Sequence, residues 1–215
     1  MPPRPIKLVV FDIGGVLIRC VSGWPEACQR AGVPNILAGL SQNQRKQLTE
    51  LATSFETGQH TADQFAEQVR TRSGYTKRQV YDALEAWLIE PFADIAPLID
   101  RIHTAGVTTA VLSNTNPAHW STIGEDLDRF GFIRSIRHHF ASHLLAMRKP
   151  EERIYIHVEK QLGVEPQQIL FFDDKEENVH AAALQWWNTE LITPDRPTAS
   201  QIEKYLIKHR VLPRG

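Results

Sequence analysis

The chain has 215 residues, enough for one α/β domain with a smaller insertion. Its 24 basic and 25 acidic side chains nearly cancel to a formal charge of −1, which excludes a long-range field that gathers nucleic acid or a membrane surface. Hydrophobic content of 42% is ordinary for a globular protein, so an anionic substrate must be held by local groups.

In chain order, Met1-Pro2-Pro3-Arg4-Pro5 lacks the apolar run of a signal peptide. It leads directly into Leu8-Val9-Val10-Phe11, a continuous apolar run that predicts a strand buried on both faces. Asp12 stands at its carboxyl end, and Gly14-Gly15 allow a sharp turn that brings backbone N–H groups towards an anion. From Arg19 to Glu90 no strand-like run appears. Gln42–Phe55, Thr61–Ser73 and Thr76–Leu88 instead carry apolar residues at helical spacing, and Thr61–Gln64 has the form of a capping box. The two cysteines, Cys20 and Cys28, form no Cys-x-x-Cys motif and no disulfide framework, as expected of a reducing, cytoplasmic protein. No segment is long and apolar enough for a membrane span.

The α/β alternation then resumes. A helix over 96–105 is stopped by Gly106, and Val107–Leu112 predicts a second buried strand ending at Ser113-Asn114-Thr115-Asn116. A short strand is expected within 136–142. Met147-Arg148-Lys149-Pro150 opens a helix over 151–162, with Pro150 in its first turn. Ile169–Phe172 predicts a third buried strand ending in Asp173-Asp174; a helix over 176–184, a strand at 190–192 and a helix over 200–209 follow. The fold expected is α/β, a doubly wound Rossmann-like parallel sheet. Residues 1–18 and 93–215 form its core, and 19–92 form a small helical cap inserted after the first strand.

In a parallel sheet the carboxyl ends of the strands share one edge, so Asp12, Ser113-Asn114 and Asp173-Asp174 can converge there, with Lys149 delivered by a loop. Three carboxylates together repel unless a cation lies between them, and oxygen ligands of this kind suit Mg²⁺ with a substrate phosphate. Asp12 is then available to attack phosphorus. Taken singly, each feature has a plainer reading: Asp12 and Asp173-Asp174 as caps, Ser113-Asn114 as a turn, Lys149 as a surface lysine. Trp24 lies near the cap entrance, where it lines either the substrate pocket or the core. The nine histidines are scattered without zinc-site spacing.

The four segments together resemble the motifs of the haloacid dehalogenase (HAD) superfamily. Phe11–Leu17 is similar to the first motif, Leu112-Ser113-Asn114 to the second, Arg148-Lys149-Pro150 to the third, and Phe172-Asp173-Asp174 with Asn178 to the fourth. Phe55-Glu56-Thr57-Gly58 and Ser113–Asn116 add a likeness to one branch. That branch includes the α-D-glucose-1-phosphate phosphatases and the N-terminal phosphatase domain of soluble epoxide hydrolases. The resemblance implies a Mg²⁺-dependent phosphatase acting on a small phosphate ester such as a sugar phosphate. Asp12 would be nucleophile and metal ligand, and the Gly14 carbonyl a further ligand. Asp174 would be the direct carboxylate ligand, Asp173 a second or outer one, and Asn178 their support. Ser113 would hold the phosphoryl oxygen with Asn114, Lys149 would orient Asp12 and the phosphate, and Gly15 and Trp24 would meet the substrate. The partner expected is a small molecule, not nucleic acid or membrane, for a monomer or homodimer.

Two departures stand out. Gly14 occupies the position where most phosphatases of the superfamily carry an aspartate acid/base, and Gln185-Trp186-Trp187-Asn188 replaces the usual glycine turn. The alternatives are a metal-independent dehalogenase, against which the paired Asp173-Asp174 argues, and a protein of this fold with little or no catalysis.

Overall fold

The computed structural model describes residues 4–214; residues 1–3 and 215, which the expected core includes, lie outside the described residues. Strand β1 (Leu8–Phe11) is fully buried. After the glycine turn the chain forms β2 (Ile18–Cys20), which pairs antiparallel with β3 (Leu88–Pro91). Between them run α1 (Trp24–Ala31), α2 (Gln42–Glu56), α3 (Ala62–Ser73) and α4 (Lys77–Glu85). Capping boxes at Ser41/Gln44, Thr61/Gln64 and Thr76/Gln79 start the last three. Their inward faces, among them Leu51, Phe55, Phe65, Val69 and Leu84, form an apolar cluster of their own.

The ribbon corrects the expectation that no strand occurs between Arg19 and Glu90. Its strands hold three and four residues and include Arg19 and Glu90, too short and too polar to read as apolar runs. The helix expected to reach Leu88 ends at Glu85, and Leu88 belongs to β3.

The chain continues through α5 (Ile95–Thr104), β4 (Thr108–Ser113), α6 (Pro117–Glu125), α7 (Leu127–Phe130), β5 (His138–Ala141) and α8 (Ser142–Leu145). It closes with α9 (Glu152–Leu162), β6 (Ile169–Asp173), α10 (Glu176–Leu184), β7 (Asn188–Leu191) and α11 (Thr198–Lys208). Five strands form a parallel sheet in the order β5-β4-β1-β6-β7. Val9 and Phe11 face α5 and α11, whereas Leu8 and Val10 face α9 and α10. Burial on both faces is why β1 reads as an unbroken apolar run. No helix among the described residues is long and apolar enough to cross a membrane.

Two local expectations shift. Pro150 precedes the helix instead of entering its first turn, because Glu151 is the N-cap of α9. The last strand starts at Asn188, where polar residues hid it from an apolar-run reading. The unusual Gln185–Asn188 turn gains a structural account. Trp186 takes φ +66° and is exposed, and this delivers Trp187 into the core. There Trp187 packs edge-on against Tyr155 and Phe171, and its Nε1 donates to Glu159 at 2.7 Å.

Candidate active site

Register decides the site. Phe11 lies opposite Val111 of β4 and Phe172 of β6, so the next residues of all three strands meet at one edge. Carboxylate oxygens of Asp12, Asp173 and Asp174 lie within 4.8 Å of one another. Lys149, whose side chain is wholly buried, places Nζ 3.0 Å from Asp12 Oδ1 and 2.5 Å from Asp173 Oδ2.

The two neighbouring aspartates are used differently. Asp173 accepts from Lys149, from Asn178 Nδ2 at 3.0 and 3.1 Å, and from the Lys175 N–H at 2.9 Å. Asp174 Oδ1 is buried with no partner among the described residues. Burial raises the Asp12 carboxyl to about 6, and the charges of Asp173 and Asp174 add to the rise against the pull of Lys149. Asp174 is raised by burial and by Asp173. For Lys149, burial works against the charge, but Asp12 and Asp173 outweigh it and the pKa is raised.

Asp12, Gly14, Gly15, Trp24, Ser113, Asn114, Asp174 and Asn178 all line one cavity of about 690 Å³, with Lys149 and Asp173 behind its wall. The Asn114 side chain is engaged with the lysine loop. Its Nδ2 donates to the Lys149 carbonyl at 2.8 Å and its Oδ1 accepts from the Lys149 N–H at 2.9 Å, so the carboxamide positions the lysine loop. Gly14 is not dictated by space, since a Cβ there would stand 3.4 Å from Cys20 Sγ. The Cys20 thiol is pushed up to about 12 by burial and then by Asp12 and Asp174, which disfavours the thiolate.

Sequence reasoning missed His119. It follows Asn116, the N-cap of α6, whose Oδ1 accepts from the His119 N–H and whose Nδ2 lies 3.0 Å from its Nδ1. Burial lowers its pKa to about 4, and Nε2 is buried without a partner among the described residues. The available signal was Asn116-Pro117, a helix start immediately after the second motif, which turns the third residue back towards the strand end.

A family model described as haloacid dehalogenase-like hydrolase matches residues 6–184. The chain belongs to this family. The HAD-like hydrolase is 27% identical over 179 residues to the sesquiterpene phosphatase astK of Aspergillus oryzae, covering 82% of this chain and 84% of that protein. Among solved structures, a HAD-like family hydrolase from Porphyromonas gingivalis superposes with a TM-score of 0.75 at 26% identity, over 94% of this chain and 98% of the other. A HAD family enzyme from Bacteroides thetaiotaomicron, in complex with magnesium and inorganic phosphate, gives 0.73 at 23% identity over 86% and 93%. The L-2-haloacid dehalogenase of Xanthobacter autotrophicus gives 0.61 at 22% over 97% and 85%. A dehalogenase and an enzyme holding magnesium and phosphate thus share the fold of this HAD-like hydrolase, and the reaction must be argued from the site.

Proposed function

We propose that this HAD-like hydrolase is a Mg²⁺-dependent phosphomonoesterase that works through an aspartyl-phosphate on Asp12. The observation that carries the reading is Asp174, whose buried Oδ1 lacks a partner among the described residues and whose carboxylate lies within 4.8 Å of Asp12. One lysine against three carboxylates leaves negative charge that a divalent cation neutralises. Asp12, the Gly14 carbonyl and Asp174 would hold the ion. Asp173, already occupied by Lys149 and Asn178, would act as the outer charge partner. When bound, Mg²⁺ supplies charge neutralisation at the phosphate oxygens.

The chain's own groups do the rest. The Ile13 N–H at 2.7 Å and Lys149 Nζ pin Asp12 Oδ1, which aims the carboxylate for attack on phosphorus. Ser113 offers a donor to the phosphoryl oxygens, whereas the Gly15 N–H expected to meet the substrate is already given to the Ile18 carbonyl at 2.9 Å. The ester oxygen departs, and water then cleaves the acyl phosphate and restores Asp12. Gly14 has no proton to give the leaving alcohol, and such help is typically worth about 10²–10⁴-fold. Esters with good leaving groups should therefore react fastest. The named activity of the Aspergillus relative and the magnesium and phosphate in the Bacteroides enzyme support the reaction class. The motif likeness points to a sugar phosphate as one candidate, and the setting we propose is a cytoplasmic monomer or homodimer.

Hydrolysis of p-nitrophenyl phosphate should be abolished by EDTA, restored by Mg²⁺ and absent in Asp12→Asn. Metal-independent chloride release from 2-chloropropionate would mean dehalogenase chemistry instead. Equal inertness of wild type and Asp12→Asn across a panel of phosphate esters would mean a binding protein.

A further inference from the structure

The cavity is far larger than a phosphate needs; about 690 Å³ falls in the ~300–1,000 Å³ range of sites for drug-sized ligands. Asp12 and Asp174 line one part of it, and Trp24, Phe55, Phe65 and Trp87 line another. Phe55 stacks on Phe65 at 4.2 Å, Phe65 on Trp24 at 6.2 Å, Trp24 meets Trp87 edge-on at 5.5 Å, and Trp87 leans on His119 at 5.8 Å. Phe55 and Phe65 are almost wholly buried, whereas half-buried Trp24 and Trp87 keep ring surface on the cavity.

We infer, building on the phosphomonoesterase reading above, that the group esterified to the phosphate is a hydrocarbon, aryl or alkyl, and that Trp24 and Trp87 select it. Indole rings also stack on sugars, but a sugar needs polar groups free to meet its hydroxyls. Three of those nearest the indoles are engaged within the protein, and His119 Nε2 is the buried one left without a partner among the described residues. Glu26 Oε2 accepts from the Ser22 N–H and Oγ at 2.8 and 2.9 Å. Glu56 is paired with Arg148 at 3.1 Å, and Asn116 is engaged at both ends by His119. Burial of apolar surface against the indoles is therefore the larger attraction this wall offers a substrate beyond its phosphate.

Calorimetry with stable phosphonates in the presence of Mg²⁺ tests this separately from turnover. 1-Naphthylmethylphosphonate should bind at least about tenfold more tightly than methylphosphonate, and a glucose-derived phosphonate no more tightly than methylphosphonate. Trp24→Ala and Trp87→Ala should each remove most of that preference, read as the ratio of the two dissociation constants within each variant, with Trp24→Phe retaining it. Glucose-derived phosphonate binding as tightly as the naphthyl compound, no phosphonate binding, or an undiminished preference in both alanine variants would overturn the inference. If the naphthyl preference holds and p-nitrophenyl phosphate is not hydrolysed, the hydrolase reading fails and the hydrocarbon site stands; the reverse pattern fails the site alone.

Discussion

Gly15 has no room for a side chain: at φ +74°, a Cβ would lie 2.5 Å from Asp174 Oδ2. Gly15→Ala should therefore displace the Asp174 carboxylate and lower turnover and Mg²⁺ affinity by about 100-fold, read by metal titration and initial rates. The left-handed backbone adds strain of about 1–2 kcal/mol. Lys149 is the buried cation between Asp12 and Asp173, so Lys149→Met should cost about 3–5 kcal/mol in urea unfolding without metal, because two carboxylates lose their partner. His119 has the opposite electrostatics. Its folded pKa of about 4 lies below the ordinary 6.5, so the unfolded chain takes up the proton first as pH falls. Its contribution is intact above about pH 6.5 and lost progressively towards pH 4. At about 1.4 kcal/mol per pH unit, the loss amounts to at most about 3 kcal/mol. His119→Gln should lose correspondingly less stability than wild type between pH 7 and 4, measured by denaturant titration at each pH.

At the scale of elements, the end of α2 is seated on the loops that carry Thr115 and Lys149. Ser142 Oγ donates to the Glu56 carbonyl at 2.6 Å and accepts from the Thr115 N–H at 3.0 Å, and Glu56 pairs with Arg148, the neighbour of Lys149. Gly58, at φ +74°, lies so close to the backbone of His143 that a Cβ would stand 2.1 Å from that carbonyl oxygen. Ser142→Ala leaves buried backbone groups unpaired and should cost about 1–3 kcal/mol, with a raised KM for p-nitrophenyl phosphate as α2 loosens over the site. Thermal unfolding and steady-state kinetics check both parts. Phe55–Gly58 and Met147–Pro150 were each legible as motifs, but their contact was not. A helix end and a loop 92 positions apart leave no shared periodicity in the chain.

For the whole molecule, the sheet order β5-β4-β1-β6-β7 reverses direction at β1 and leaves the strand ends around Asp12 open to a ligand. An ion bound to the folded site alone stabilises the fold by mass action, by about 2.7 kcal/mol at a hundredfold excess over Kd. Saturating Mg²⁺ should raise Tm by about 5–10 °C over the EDTA-treated protein. Asp174→Asn should abolish most of that rise, and Asn178→Ala should reduce it by loosening Asp173. An unchanged Tm on adding Mg²⁺ would count against the metal site.

The sequence by itself determined the α/β class, the buried strands and the identity of the polar groups at their ends. These are written locally, as unbroken apolar runs that stop at a carboxylate or a serine. It also carried the four HAD motifs, whose order along the chain is independent of any contact. Only the tertiary structure decided which aspartate is spent on Lys149 and Asn178 and which keeps an unpartnered oxygen. It alone revealed the β2–β3 ribbon, the clamp of Asn114 on the lysine loop and the aromatic wall facing the site. Each of these depends on distances between segments far apart in the chain, and such distances exist only once the sheet has closed and the helices have packed.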